Sequence, residues 1–288
     1  MNYRTAAKDN PLATGLILAL VLFVAMIVAA LVIQARARNA DETPTDLPNV
    51  VAIDPAITGF DYSAGITEQG KWEGITASDY VELFDYRNIV IPATVTDISE
   101  EQVQTAVDAL LEEHEIGDEL TDQIVTETFG ADLGWSTVAQ MRAALGDELR
   151  VAAMEEYVRD FLRNQVTVSS IPPEILAYQE GALSRHFADY AISMGMGLDE
   201  FLQNFVGFEN LPDFLANSAD DIAASARSAL VIQAIAEDAN ITVTEEDLAH
   251  YLPDYSLFVE EFGMPYITQF VLEAKVVDYL MGNAVTTS

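Results

Sequence analysis

The chain has 288 residues, enough for one or two domains, and half of them are hydrophobic, so a sizeable core is possible. Acidic residues number 47 against 13 basic ones, which gives a formal net charge of -34 at pH 7. This balance argues against nucleic acid as a partner, because phosphate binding needs clustered lysine and arginine. It favours basic or neutral partners, although a surface adapted to salt or to the cell exterior explains it more simply. No cysteine is present, which excludes disulfides, zinc–cysteine sites and thiol catalysis.

A long apolar run lies close to the N-terminus. Residues 12–33 read LATGLILALVLFVAMIVAALVI and carry no charge. A helix of this length, at about 1.5 Å rise per residue, spans a hydrocarbon core about 30 Å thick. A cleaved signal peptide usually has an apolar core of only about 7–15 residues and a small-residue cleavage site after it, whereas Arg36 and Arg38 follow this run. The sequence therefore predicts a retained single-pass transmembrane helix, preceded by a short tail, residues 1–11.

The charges that flank this run bear on its orientation. Arg4 and Lys8 precede it, and Arg36 and Arg38 follow it. This near balance gives only a slight preference for an N-terminus inside the cell. A short tail before the span and a large domain after it are also typical of a signal anchor whose domain is exported. We therefore expect a cell-membrane protein with an extracytoplasmic soluble domain, while the opposite orientation stays open.

The next segments are irregular and then extended. Residues 34–78 contain three prolines and scattered polar residues without sustained periodicity, which predicts an acidic tether that Trp72 could dock locally. Residues 80–92, YVELFDYRNIVIP, combine β-branched and aromatic side chains. They predict one or two short strands leading into the following domain.

The remainder of the chain has helical periodicity. Capping boxes at Ser99, Thr137 and Thr244 each precede an amphipathic stretch, and prolines at 172–173 and 212 are typical of further helix starts. The predicted fold class is mostly α: a transmembrane helix plus a multi-helix domain, residues 79–288, with a short extended segment leading into it. The helices expected in that domain cover approximately 99–114, 121–129, 137–162, 172–194, 198–205, 212–239, a short helix from 244, and 266–281.

Recognisable catalytic and metal-binding motifs are absent from the sequence. His114, His186 and His250 are far apart and have no partner at metal-ligand spacing. None of the motifs of zinc proteases, serine hydrolases, P-loop or Rossmann nucleotide sites, or EF-hands occurs. Adjacent carboxylates are the chance expectation in so acidic a chain. We expect no catalytic residue, no metal site and no cofactor.

Seven phrases of the chain, taken in order, resemble the trigger factor family of bacterial chaperones. Each alone could be an ordinary capped helix, but their order over about 200 residues makes coincidence a poor explanation. The phrases are YVELFDYRNIVI (80–91), VTDISEEQVQTAVDALLEEH (95–114), DELTDQIVTETFGADLGWSTVAQMRAALGDEL (118–149), IPPEILAYQEGALSRHF (171–187), MGLDEFLQNF (196–205), ALVIQAIAEDANITVTEEDL (229–248) and FVLEAKVVDYLMGNAVTTS (270–288).

Two departures from the family pattern limit what the resemblance implies. An FKBP-type isomerase domain usually sits between the second and third phrases, but here only residues 115–117 separate His114 from Asp118. The ribosome-docking domain is missing as well, and the predicted span stands in its place. The resemblance thus implies the C-terminal, SurA-like peptide-binding domain alone. The resemblance and the predicted span together predict a membrane-anchored protein that binds unfolded or newly exported polypeptides without catalysis. The bilayer contact is expected from residues 12–33, and ribosome binding is not expected because the docking domain is missing.

The resemblance implies a domain whose helical arms surround a crevice for unfolded chains. Binding in such a crevice needs exposed, adaptable apolar side chains, and methionine suits that role because it repacks easily. An acidic rim could add affinity for basic segments. Two alternatives stay open: a foldase related to prolyl isomerases, and a non-chaperone interaction subunit of a cell-envelope complex. Although core packing is the commoner role for residues of these types, the candidates for client binding are Met194, Met196, Phe201, Phe205, Phe208, Phe214, Met264 and Tyr266.

Overall fold

A computed structural model describes residues 53–114, 116–117 and 120–287 of the chain. The predicted tail and transmembrane helix, residues 1–33, and the first part of the predicted tether lie outside these residues. The described chain is mostly helical, as the sequence predicts. Within it, each helix is either too short or too polar to cross a bilayer.

The secondary structure consists of helices and four very short strands in the described range. The strands are β1 (Val81–Glu82), β2 (Val90–Ile91), β3 (Thr167–Val168) and β4 (Val285–Thr286). A π-helical turn, Leu202–Val206, follows the seventh helix. The helices are α1 (Pro55–Thr58), α2 (Ala93–Thr96), α3 (Glu100–Glu113), α4 (Asp122–Phe129), α5 (Val138–Asn164), α6 (Pro173–Ser193), α7 (Leu198–Phe201), α8 (Leu211–Asn217), α9 (Ala219–Asp238), α10 (Glu245–Tyr251) and α11 (Val259–Asn283).

The chain forms two compact units. Unit 1 comprises the described part of Met1–Leu83 together with Arg163–Val276, and unit 2 comprises the described parts of Phe84–Leu162 and Val277–Ser288. β1 pairs antiparallel with β3 in unit 1, and β2 pairs in parallel with β4 in unit 2. The sequence predicts the two strands within residues 80–92, but it does not predict their partners β3 and β4.

Unit 2 is built on capped helices. The Ser99 hydroxyl accepts a hydrogen bond from the backbone amide of Gln102, and the side-chain oxygen of Gln102 accepts one from the backbone amide of Ser99. These two bonds form the predicted capping box of α3. At the start of α5, Thr137 accepts from the Gln140 amide at 3.1 Å. These starts orient one apolar face of each helix inward. The buried core that results consists of Val103, Val107, Val125, Phe129, Met141 and Leu145.

Unit 1 differs from the sequence expectation at two helix boundaries. The helix predicted over 212–239 is two helices, because Ser218 both closes α8 by donating its amide to Phe214 and accepts the first bond of α9 from Ile222. The last helix begins earlier than predicted, at Val259, and breaks at Gly263 (φ 74°, ψ 152°). A side chain at Gly263 would also collide with Ser63, whose hydroxyl would lie 2.0 Å from the new Cβ, so glycine is required there.

Residues 53–78, called the docked segment below, belong to unit 1 and pack on its helices. Tyr62, Ile66 and Trp72 are buried, with exposures of 6%, 7% and 4%. The Tyr62 ring lies 4.9 Å from that of Phe262 on α11, and the Trp72 ring lies 4.8 Å from that of Tyr178 on α6. This part of the predicted tether is therefore continuous with the core of unit 1.

One buried amide on α9 holds the backbone of the docked segment. Gln233 is only 3% exposed. Its side-chain oxygen accepts from the Trp72 amide at 2.8 Å, and its nitrogen donates to the Ile75 carbonyl at 2.8 Å and to the Glu237 carboxylate at 2.8 Å. Glu237 in turn accepts from the Ala77 amide at 3.3 Å. These bonds satisfy main-chain groups that would otherwise be buried without partners.

We expect Gln233→Met to lower the free energy of unfolding by about 3 kcal/mol, because a methionine of similar size leaves the Trp72 amide and the Ile75 carbonyl without their partner at a buried position. The control is Gln123→Met on α4, where the glutamine is exposed and bonded only to Glu127. Urea unfolding of both variants measures the difference. Equal stabilities would contradict this role of Gln233.

Candidate functional site

Large apolar side chains are exposed where α6 meets the following turn. Phe205 is 60% exposed, Met194 is 51% exposed and Ile192 is 39% exposed, while Met196 between them is half-buried. These four residues are called the Phe205 patch below. Large apolar side chains are usually buried, so several exposed ones within residues 192–205 make this stretch a candidate interaction surface.

The exposed Phe205 ring packs on a stack of aromatic rings. The Phe205 ring stacks on Phe201 at 5.3 Å with an interplanar angle of 24°, and Phe201 stacks on Tyr190 of α6 at 6.1 Å with an angle of 5°. Phe201 itself is buried. Burial raises the pKa of Tyr190, so its ring stays a neutral phenol in this stack. The result is a rigid aromatic base with one outer ring open to solvent.

Local backbone geometry holds the outer ring in place. The π-helical turn that carries Phe205 ends at Gly207, whose φ of 94° reverses the chain and favours glycine. The amides of Gly207 and Phe208 both donate to the Leu202 carbonyl, at 2.7 Å and 3.2 Å. The Gln203 side chain also donates to the Glu209 carbonyl at 2.8 Å. A wide turn of this type is common at functional sites.

The chain around the patch is uniformly acidic. Between Tyr190 and Ala226 it contains no lysine or arginine. The nearest basic residue before this stretch, Arg185, is already paired with Asp189 at 2.8 Å. This stretch of sequence thus combines exposed apolar side chains with an excess of acidic residues, which favours a basic, apolar ligand. The acidic residues of the stretch are Asp199, Glu200, Glu209, Asp213, Asp220 and Asp221.

A buried histidine lies below the aromatic base. His186 is 6% exposed, and its ring meets that of Tyr190 edge-on at 4.7 Å. Its Nε2 atom has no hydrogen-bond partner among the described residues. Burial lowers the pKa of His186 to about 4. The imidazole is therefore neutral at physiological pH, because a charge there would be both desolvated and unpaired.

The eight residues that the sequence selects fall into two groups. Phe201, Phe205, Phe208 and Phe214 form one group: Phe208 and Phe214 have ring centroids 5.4 Å apart, and Phe214 joins Phe201 through Phe187. Phe214 is buried and Phe208 half-buried, so they support this group from within. Met194 and Met196 follow the last turn of α6 and donate their amides to the Tyr190 and Ala191 carbonyls.

Tyr266 belongs to a second aromatic group, in which the docked segment participates, and Met264 lies two residues before it on α11. The Tyr266 ring lies 5.4 Å from both Tyr62 and Phe262. Tyr178 closes the group by donating its hydroxyl to the Tyr62 carbonyl at 2.6 Å. Burial raises the pKa of Tyr62, Tyr178 and Tyr266, which keeps all three neutral. This group attaches the docked segment.

A separate open cleft of about 500 Å³ lies in unit 2, between α3 and the start of α5. Its basic residue, Arg142, is paired with Glu100 and donates to Gln104 at 2.7 Å. The described residues contain no cluster of acidic or histidine side chains that could hold a metal ion.

Ile192 is the member of the patch that sequence reasoning missed. It precedes the Met-Gly-Met-Gly run, residues 194–197, and helical periodicity alone treats it as a core residue. Its position in the sequence could have indicated exposure. It lies in the last turn of a helix, and the glycines that follow at 195 and 197 have no side chains to cover it.

Comparison with known proteins gives one match. The model of the family described as bacterial trigger factor protein (TF) C-terminus matches residues 131–282, which is more than half of the chain. The matched range includes the later phrases of the resemblance and excludes those at residues 80–114. No curated protein and no solved structure matches the chain.

The buried His186 makes stability depend on pH. Its folded pKa of about 4 lies below its ordinary value of 6.5, so the unfolded chain binds the proton more tightly. The effect of His186 on the free energy of unfolding is constant above pH 6.5. The free energy of unfolding then falls as the pH drops from 6.5 towards 4, and it levels off below pH 4. We expect His186→Leu to remove this loss, which amounts to about 3 kcal/mol. Urea unfolding between pH 7 and 4 measures it relative to the exposed-site control His250→Leu, and parallel curves for all three proteins would contradict it.

Proposed function

Because the chain belongs to the bacterial trigger factor family through its C-terminal domain, we propose that it is a membrane-anchored chaperone that binds unfolded or newly exported polypeptides. The matched domain is the chaperone-type domain of that family and not the catalytic isomerase domain. The proposed activity is therefore binding without catalysis. The observation that carries the proposal is the Phe205 patch.

The patch has the properties that transient binding of unfolded chains requires. Phe205 and Met194 present more than half of their surface to solvent, so a client can bury them without unfolding the domain. Thioether side chains adapt to different apolar partners. The acidic stretch from Asp199 to Asp221 attracts lysine and arginine near an apolar segment and does not provide a fixed stereochemical match. Such a surface selects clients by composition more than by sequence.

The patch itself is tested by Phe205→Ser. Burying about half of this ring in a client contributes about 1–2 kcal/mol, so its loss weakens binding roughly five- to thirtyfold. The matched control is Leu257→Ser, because Leu257 is 55% exposed, lies in the same unit and stands outside the patch. Suppression of aggregation of an unfolded test protein by the full chain in detergent measures the effect.

We expect Leu257→Ser to suppress aggregation as well as the parent chain does, and Phe205→Ser to need a several-fold higher concentration. Unchanged suppression by Phe205→Ser would contradict the assignment of the patch. Capture of a single stable partner, with no affinity for unfolded chains, would favour the interaction-subunit alternative. High salt should weaken binding of a basic client more than that of a neutral one, because the acidic surroundings are screened.

The proposal also includes the anchor and the compartment. Residues 12–33 are uncharged over the length of a membrane span, and the proposal puts the soluble domain outside the cytoplasm. We expect protease added to spheroplasts to degrade the domain while a cytoplasmic marker stays intact. Protection of the domain until the cells are lysed would contradict this orientation.

A further inference from the structure

We infer that Met194 is a reversible oxidation site, at which a peroxide converts the thioether to a sulfoxide and thereby weakens binding at the Phe205 patch. This inference rests on the proposed function and adds a form of regulation to the same surface. It follows from the way in which α6 ends, from the exposure of each methionine among the described residues, and from the chemistry of the thioether.

The end of α6 leaves one methionine exposed and covers more of the next. The Gly195 amide donates to the Ile192 carbonyl at 3.0 Å. The Met196 amide donates to the Ala191 carbonyl, also at 3.0 Å. With the left-handed backbone of Gly195 (φ 71°), these two bonds form a Schellman motif. The residue after the glycine of this motif commonly contacts the last turns of the helix, and Met196 is half-buried, whereas Met194 before the glycine is 51% exposed.

The surroundings of Met194 are open to a small oxidant. A Cβ placed on Gly195 would meet no atom within 4 Å apart from those of its chain neighbours. Ser193, on the other side of Met194, is exposed as well. Hydrogen peroxide in solution therefore reaches the Met194 side chain without any opening of the fold.

The other methionines in the described part of the chain are less accessible. Met141 is 0% exposed and belongs to the core of unit 2, so a reagent reaches it only when that core opens. Four more are half-buried, namely Met154, Met196, Met264 and Met281. Because a reagent has to touch the sulfur, Met194 is the described methionine that reacts first.

The reaction is a two-electron oxygen transfer. The sulfur lone pair of Met194 attacks one oxygen of hydrogen peroxide, so that an S–O bond forms while the O–O bond breaks. The departing hydroxide takes the proton of the transferred oxygen and leaves as water. Sulfur is oxidised and the peroxide is reduced, so the step needs no further reactant. Methionine sulfoxide reductases convert the sulfoxide back to the thioether, which makes the modification reversible.

Oxidation changes the property on which binding at the patch depends. A sulfoxide is polar, whereas the thioether is apolar and flexible. The Met194 amide donates to the Tyr190 carbonyl at 3.1 Å, so Met194 lies one helical turn after the residue whose ring stacks on Phe201. A client that covers this turn has to desolvate the new oxygen. Loss of a half-exposed apolar side chain of this size weakens binding roughly three- to tenfold.

The test compares each chain with its own peroxide-treated form. The full chain in detergent is treated with hydrogen peroxide, catalase removes the oxidant, and suppression of aggregation of an unfolded test protein is then measured. Peptide mass spectrometry shows which methionines have gained an oxygen atom, and in what order. Met194→Leu lacks the proposed site, and Met154→Leu is the control, because it removes a half-buried methionine of unit 2.

We expect Met194 to gain oxygen before the other described methionines. The treated parent and the treated Met154→Leu chain should then need a roughly three- to tenfold higher concentration for the same suppression. Treatment should not change the activity of Met194→Leu, and reductases specific for the two sulfoxide epimers should restore the parent.

Two results overturn the inference: earlier oxidation of another described methionine, or an equal loss of activity in treated Met194→Leu. A different result identifies a failure of the proposed function. If the untreated parent suppresses no aggregation, the proposed function is wrong, and the effect on binding is wrong with it. The order of oxidation still decides whether Met194 is the modified residue.

Discussion

The side-chain amide of Gln233 is the contact on which the arrangement of unit 1 depends. It uses both its oxygen and its nitrogen to pair main-chain groups of residues 72 and 75, about 160 positions earlier in the chain. A buried amide that pairs in this way helps to make a largely irregular segment part of a core, because it satisfies two backbone groups of that segment that lie outside regular helices and strands. The aromatic side chains of that segment then add the apolar burial.

The sequence predicts the elements whose causes are local. The capping boxes at Ser99 and Thr244 are observed, because a cap needs only a few neighbouring residues. The docked segment could not be predicted in this way. Its sequence has no helical or strand periodicity, and the contacts that stabilise it come from α6, α9 and α11. The split of the 212–239 helix at Ser218 has the same origin: both halves have helical sequences, and tertiary packing decides where they separate.

Residue type alone selects the candidate client-binding residues, and tertiary packing decides which of them are exposed to solvent. Methionine and phenylalanine in a glycine-interrupted stretch indicate an adaptable apolar surface. The same reasoning applies equally to Phe205 and Phe214, yet the first is 60% exposed and the second 5%. Their difference comes from Phe187, which covers Phe214 from α6. Tyr266 is another aromatic candidate, but its ring packs against Tyr62 of the docked segment, a role that only the fold defines.

The small size of the Phe205 patch limits how tightly it can bind a client. Burying three partly exposed side chains contributes about 3–4 kcal/mol, which does not by itself offset the entropy that association costs. A client encountered from dilute solution would therefore leave quickly. Weak contact of this kind gives reversible binding, which suits a client chain that must later leave and fold.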